Sequence, residues 1–529
     1  MSSRSALIEN LQPTSGDLLA DHRPAPGGPV GNLQSPIENR ALSFARLLLI
    51  VALVGAPWAF GAVVPWAWVA LGILASLILF LWGLGSVQQK VLKLAWSPLY
   101  IPLGLFFLLG VTQYFYGLTL DRSETRQALV LLAVDAAFFF LTIQLFSTAA
   151  RETWRAFGLA VLVLAGSLGL FAILEFAAGE QQIYGSVATP GNLLFGPYVN
   201  PNHFAGLMEM LVPVSVLTIA ERQGKPALAV LAWLATGAGV AVASLLLSGS
   251  RGGLLALAAE AAIAVAVLAR PNGAPASRRH FERSSFASDR PDATTPDVAP
   301  ASRRHFERSS FASDRPDAAT PDVAPASRRH YVGRSLAAAV ATTILAALLL
   351  FTWVDPGSIA KRLTLTANVG GPAWVEWAGF RKTVAADSLR MLRDHPLSGV
   401  GLGNFETAYP RYQSFASDLW IDHAHNDYVE AVAETGLPGA LLILAALAMF
   451  LRMAFGNRAI EPSGHRAIVQ SPDDPITRSP DHPIMRIRLG AALGCCGMLV
   501  HSFFDFNLHI PANAAWFAVL AGLAVAKRQ

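Results

Sequence analysis

The sequence predicts an all-α integral membrane protein of about 12 transmembrane helices, and three observations predict it. Of 529 residues, 53% are hydrophobic and only 14% charged, whereas an ordinary soluble domain carries about 25% charge. The mean hydropathy is +0.43. Apolar runs of about 15–25 residues, near the length that crosses a bilayer as a helix, recur along the chain. This composition excludes a large soluble enzyme with a polar shell. It also excludes a disordered or nucleic-acid-binding chain, which needs high charge density, so no nucleic-acid partner is expected.

In chain order, residues 1–40 are polar and rich in Pro, Gly and Ser, and read as a disordered cytoplasmic tail. They do not read as a signal peptide, because the first apolar run starts late and no processing site follows it. Helices 1–8 occupy residues 41–269, with spans at 41–60, 62–84, 98–117, 127–146, 154–178, 204–220, 227–248 and 252–269. A loop at 270–334 precedes a ninth span at 335–354, and a long loop at 355–427 follows. Span ten is 428–451, a further loop is 452–486, and residues 487–529 hold spans 487–504 and 512–526 with a short tail.

An even count puts both termini on one side, and charge assigns the side. Lys90, Lys93, Arg151, Arg155, Arg222 and Lys225 fall in short loops on the side of the N-terminus, while 179–203 on the other side has no Lys or Arg. The N-terminal side is therefore inside. The net charge of +4 then reflects topology rather than a basic partner surface.

Two inside loops read as inserts. Residues 276–300 recur as 301–325, differing only at Thr294 against Ala319, and a third copy stops after His330. The unit has too few apolar residues to bury a face, so composition reads it as disorder rather than a solenoid. Residues 471–478 and 479–486 form a smaller repeat. The adjacent Cys495 and Cys496 lie in an apolar run and read as packing residues.

Four polar clusters share the outside face: Asn200-Pro-Asn-His203, Ser248-Gly-Ser-Arg-Gly-Gly253, the 355–427 loop and His501-Ser-Phe-Phe-Asp-Phe-Asn-Leu-His509. The long loop holds Trp374, Trp377, Arg381, Gly399-Val-Gly-Leu-Gly-Asn404 and His423-Ala-His-Asn-Asp427. Arg251 is the sharpest single signal. A guanidinium between two apolar spans costs about 2.5–3.5 kcal/mol at the bilayer centre and less at the interface. It also matches phosphate oxygens by paired hydrogen bonds, and its flanking glycines admit a close ligand. A snorkelling anchor is the other reading of Arg251.

His425 is a candidate general base for a hydroxyl proton, against a plain loop histidine bonded to backbone. His423 beside it raises the question of a metal, but no Cys and no clear carboxylate spacing completes a site, so none is expected. Asp427 and Glu430 could orient either imidazole. The glycine-rich 399–403 stretch has no following Lys-Ser/Thr and reads as a turn rather than a nucleotide loop. Asp135, Glu175, Glu209 and Glu260 lie within apolar spans and receive no role.

These residues together resemble the O-antigen ligase / O-antigen polymerase superfamily of bacterial membrane glycosyltransferases. The resemblance rests on Ser248–Gly253, Asp394-His-Pro-Leu-Ser-Gly-Val-Gly-Leu-Gly-Asn-Phe405, and His423-Ala-His-Asn-Asp-Tyr-Val-Glu430 leading into Glu434-Thr-Gly-Leu-Pro-Gly439. Phe60-Gly-Ala-Val-Val-Pro-Trp66 and Asn200-Pro-Asn-His-Phe-Ala-Gly206 add to it, so most of 41–526 outside the inserts is covered. The resemblance implies a GT-C-like helical fold in the bacterial inner membrane, with a large periplasmic loop between late helices and both termini cytoplasmic. It implies transfer of a glycan from undecaprenyl diphosphate to an acceptor hydroxyl, on lipid A core or on another glycan, without cofactor or metal. Arg251 and Arg381 would bind the diphosphate and His425 would activate the acceptor. His423, Asn426, Asp427, Asn202 and His203 would support them. A polymerase, a protein O-oligosaccharyltransferase and a polytopic transporter or flippase stand as alternatives; the last predicts repeated halves and helices broken at the midplane, which the sequence does not show.

Overall fold

The computed structural model describes residues 39–90, 92–179, 182–188, 194–220, 228–268, 357, 372–417, 420–456 and 482–527. The N-terminal tail to residue 38, the 25-residue repeats, the ninth span at 335–354 and most of the 452–486 loop lie outside the described residues. Helices dominate: α1 (Arg40–Trp58), α2 (Pro65–Gln88), α3 (Tyr100–Tyr116), α4 (Arg122–Ser147) and α5 (Arg151–Ala178) come first. A two-stranded antiparallel hairpin, β1 (Gln182–Ile183) and β2 (Val187–Ala188), follows. Then come α6 (Pro201–Ala220), α7 (Leu228–Leu247), α8 (Arg251–Leu268), α9 (Pro372–Asp394), α10 (Asp427–Leu451), α11 (His482–His501) and α12 (Pro511–Val525).

Among the described residues, eight helices are long and apolar enough to cross a membrane: α1, α2, α4, α5, α6, α7, α10 and α11. Helices α3 and α12 are apolar but shorter. The chain is therefore a multi-pass helical membrane protein. Large apolar side chains turned outward, such as Trp233 at 78% exposure, have lipid rather than water as their natural surroundings. Helix α11 starts at His482 instead of 487, because the end of the smaller repeat is drawn into the helix.

Small residues set the closest packing. A Cβ on Gly494 of α11 would lie 2.5 Å from the Met210 carbonyl of α6, and one on Gly169 of α5 would lie 3.0 Å from the Val240 carbonyl of α7. In lipid, where apolar contact alone drives little association, such close backbone approach is the main source of helix pairing. Cys495 and Cys496 are buried in α11 as free thiols.

Residues 372–426 carry a core of their own, in which Val384 and Met391 of α9 pack with Val400, Phe405, Tyr409, Ile421 and Ala424. The glycine-rich stretch clips this layer to the bundle. Val400 N–H donates to Ala433 O at 3.0 Å and Gly401 N–H to Glu434 O at 3.0 Å. Gln113 of α3 donates to Ser398 O at 2.6 Å and accepts from Leu402 N–H at 3.1 Å. Gly399 sits at φ 62 with no room for a side chain against Glu434, so its glycine serves the fold, as the turn reading expects.

Candidate active site

Three helices begin at one end of the bundle, each capped by a side chain from the polar clusters. The Asn200 carboxamide accepts from Asn202 N–H at 2.9 Å at the start of α6. The Ser250 hydroxyl accepts from Gly253 N–H at 3.1 Å at the start of α8. Asn426 accepts from Tyr428 and Val429 N–H at 3.1 and 3.0 Å at the start of α10. Such caps satisfy N–H groups that a helix start leaves open, and all three starts meet the end of α11 or the loop after it: Asn202 at Asp505, Gly252 at His501 and Asn426 at Phe503.

That loop contributes Asp505, around which the site is organised. Its side chain is 1% exposed, so its oxygens must be met by protein. Oδ2 accepts from Asn202 Nδ2 at 2.7 Å and from Arg381 Nη2 at 3.3 Å. Oδ1 accepts from Phe506 N–H at 3.0 Å and lies 3.2 Å from His425 Nδ1. His203 Nε2 stands 3.9 Å from the same oxygen. Burial alone would raise the Asp505 pKa, but the His425 hydrogen bond and the Arg381 charge outweigh it and hold the carboxyl well below its usual range.

An ionised carboxylate only accepts, so His425 carries its proton on Nδ1 and presents Nε2 as the basic nitrogen. His425 is held in a left-handed backbone conformation, φ 52, which costs a non-glycine residue of order 1 kcal/mol or more and persists only where its surroundings impose it. Two contacts impose it: Asp505 on the ring, and Arg381 Nη1 donating to the His425 carbonyl at 3.4 Å. Arg381 reaches both from α9. Burial lowers the Arg381 pKa while Asp505 opposes the shift, and a guanidinium stays charged throughout.

A second acid–imidazole cluster lies alongside. Glu430 Oε1 is 2.7 Å from His423 Nδ1 and 3.2 Å from His509 Nε2, and its Oε2 accepts from Ala424 N–H at 2.8 Å. Asp427 Oδ1 is 3.0 Å from His509 Nδ1. Phe506 stacks on His423 with ring centroids 4.1 Å apart and lies 5.2 Å from the His425 ring. Burial lowers the pKa of both outer imidazoles, but the carboxylates prevail: His423 is raised by Glu430, and His509 is pushed up to about 10 by Glu430 and Asp427.

The structure thus gathers Arg381, His425, Asn202 and His203 at Asp505, and His423 at Glu430, with Asp427 joined to that second cluster through His509. Asn426 is a helix cap that also donates to Phe503 O at 3.1 Å. Arg251 opens α8, where Gly252 is pressed against the His501 ring and Gly253 against Ala205; this places it at the same end of the bundle. Of the two carboxylates expected to orient the paired histidines, Glu430 holds His423, while Asp427 turns to His509. The residue that holds His425, Asp505, was not singled out from the sequence. Its signal was an acid between two phenylalanines directly after an apolar span. What spacing did not show is that His509, 79 residues after Glu430 in the chain, comes to the same Glu430 oxygen as His423. In the bundle, Glu209 pairs with His501 at 2.9 Å, and both Glu260 oxygens lack a hydrogen-bond partner among the described residues.

No curated protein matches the chain. Residues 325–444 match the family model described as O-antigen ligase, a stretch that takes in Arg381, the glycine clip and both His423 and His425. That match supports the superfamily resemblance carried by the sequence motifs: over residues 325–444 this multi-pass membrane protein is similar to the O-antigen ligase family.

Proposed function

We propose that this protein is an integral-membrane glycosyltransferase that moves a glycan from undecaprenyl diphosphate to an acceptor hydroxyl. It would act at the periplasmic face of the bacterial inner membrane, with its termini in the cytoplasm, on a twelve-span, GT-C-like fold. The observation that carries the reading is Asp505, which holds an imidazole with its basic nitrogen outward and a guanidinium on its other oxygen. The acceptor oxygen attacks the anomeric carbon, the bond from that carbon to the diphosphate breaks, and the acceptor proton passes to His425 Nε2. Arg381 and Arg251 meet the charge that develops on the departing diphosphate. Asp505 fixes the His425 tautomer and stabilises the imidazolium that forms, the role an acid plays behind a catalytic histidine elsewhere. No step of this transfer passes through a metal ion.

The O-antigen ligase domain favours a ligase delivering the glycan to lipid A core, with a polymerase extending a second glycan and a protein O-oligosaccharyltransferase as same-chemistry alternatives. A glycan-transfer assay tests the assignment: Arg251→Ala and His425→Ala are each expected to lose transfer, and full activity in both overturns it. The surface glycans of a deletion strain separate the subtypes. Long chains left on the lipid carrier mark a ligase, and short unpolymerised chains mark a polymerase.

A further inference from the structure

The cluster beside Phe506 is not used by the transfer proposed above. Three donor atoms converge there, His423 Nδ1, Glu430 Oε1 and His509 Nε2, all within 4.8 Å of one another. They come from three separate pieces of chain: the loop before α10, the first turn of α10 and the α11–α12 loop. Two imidazoles and one carboxylate form the donor set that holds zinc with a fourth position open.

The groups behind these donors fit the same purpose. A metal-bound histidine almost always gives its other ring nitrogen to a carboxylate, and a metal-bound carboxylate is itself hydrogen-bonded. Here His509 Nδ1 faces Asp427 Oδ1 at 3.0 Å, and Ala424 N–H holds the second Glu430 oxygen at 2.8 Å. Both nitrogens of His509 face carboxylate oxygens, so the pocket is built to surround positive charge. The His423–Glu430 and His509–Glu430 separations are 2.7 and 3.2 Å. Bonds of about 2.0–2.1 Å in a tetrahedron put donors roughly 3.3 Å apart, so an ion would widen the two Glu430 separations by some tenths of an ångström and draw the two imidazole nitrogens, which lie within 4.8 Å of one another, to a similar spacing. The imidazoles are 25% and 33% exposed, which leaves solvent a way in.

We propose that His423, Glu430 and His509 form a zinc-class divalent metal site, with Asp427 orienting His509 and water in the fourth position. The ion ties the loop that carries His425 to the loop that carries Asp505. It does not touch the glycosidic bond, so the site goes beyond the transfer reading.

The test is direct metal binding by the purified full chain in detergent, stripped with chelator and reloaded with Zn²⁺ or Co²⁺. Expected are one tightly held equivalent by elemental analysis and the intense visible bands of four-coordinate Co²⁺. His423→Gln and His509→Asn should each lose that equivalent, His425→Ala should keep it, and Asp427→Asn should weaken binding 10–100-fold. Absence of a stoichiometric ion in the unaltered chain overturns the site. So does an undiminished equivalent in His423→Gln and His509→Asn, which would place the ion elsewhere, for instance on His280, His305 and His330 of the repeats. If His509→Asn does not fold, His423→Gln decides alone. The readout involves no glycan transfer, so it stands or falls separately from the proposed activity.

Discussion

Asp505 lies 3.2 Å from Nδ1 of His425, across a chain separation of 80 residues, and its carboxylate is almost completely buried. Replacing it with Asn keeps the size and removes the charge. The amide can offer an N–H to the ring, which then carries its proton on Nε2 and has no basic nitrogen for the acceptor. The equivalent change behind a catalytic histidine elsewhere costs about 10⁴-fold in turnover. D505N is therefore expected to lower turnover about 10³–10⁴-fold with little change in donor KM. Steady-state glycan transfer measures it, and turnover within threefold of the unaltered protein would remove Asp505 from the mechanism.

The same carboxylate sets a pH window for stability. Its folded pKa is held well below the usual carboxylate range, and the unfolded value is about 3.9. The Asp505 contacts therefore contribute fully above about pH 4 and are lost as pH falls through the lower folded value. The difference in Tm between the unaltered protein and D505N should be constant from pH 5 to 8 and shrink only in stronger acid. A difference that collapses between pH 5 and 7 would contradict the depressed pKa.

Arg381 touches two acceptors at once, the His425 carbonyl at 3.4 Å and Asp505 Oδ2 at 3.3 Å. A planar fork spans both, whereas a lysine ammonium is one compact point at the end of a flexible stem. Arg381→Lys is expected to recover less than a tenth of the activity separating Arg381→Ala from the unaltered protein. Near-complete rescue by lysine would show that charge alone, without the grip on His425, is what the position supplies.

A stability prediction follows from the glycine clip. At Gly399 a Cβ would strike the Glu434 backbone at φ 62, whereas at Gly83 in α2 nothing lies within 4 Å. Gly399→Ala should destabilise by about 1–3 kcal/mol or more. Gly83→Ala should be neutral or stabilising by up to about 1 kcal/mol, because alanine is the better helix former. Thermal unfolding in detergent reads both. Equal effects at the two positions would mean that the clip does not hold the 372–426 layer in place.

The helices were legible because a membrane span must satisfy its own backbone and so leaves a long uninterrupted apolar run. Their starts were legible to within a few residues where Asn200, Ser250 and Asn426 supply caps. Helix α9 was not, because it carries charge throughout and packs one face on a small separate core. In the site, Arg381 and His425 were found by residue type and motif, while their common partner was missed because pairing across a long stretch of chain leaves no local pattern. His423 and His425 look equivalent in sequence, yet they pair with different acids, Glu430 and Asp505, and only His425 sits at positive φ. The intramembrane Glu209 likewise received no role until its partner, His501, came into contact from another helix.

That last pair yields its own prediction. Glu209 and His501 are 0% and 1% exposed and meet at 2.9 Å, with the Glu209 Oε1 atom lacking a hydrogen-bond partner among the described residues. Removing one member of a buried pair strands the other and costs about 3–5 kcal/mol, while replacing both with apolar groups of similar size is often close to neutral. His501→Leu alone should therefore lower the Tm of the detergent-solubilised protein strongly, and adding Glu209→Met should restore most of the loss. The shape of the cycle decides between a structural pair and a working one. If the double variant regains its Tm but not glycan transfer, the pair also serves the site at the end of α11; if it regains both, the pair only holds α6 against α11. Additive losses would mean that the two side chains are not coupled, and the contact at 2.9 Å would then carry no energetic weight.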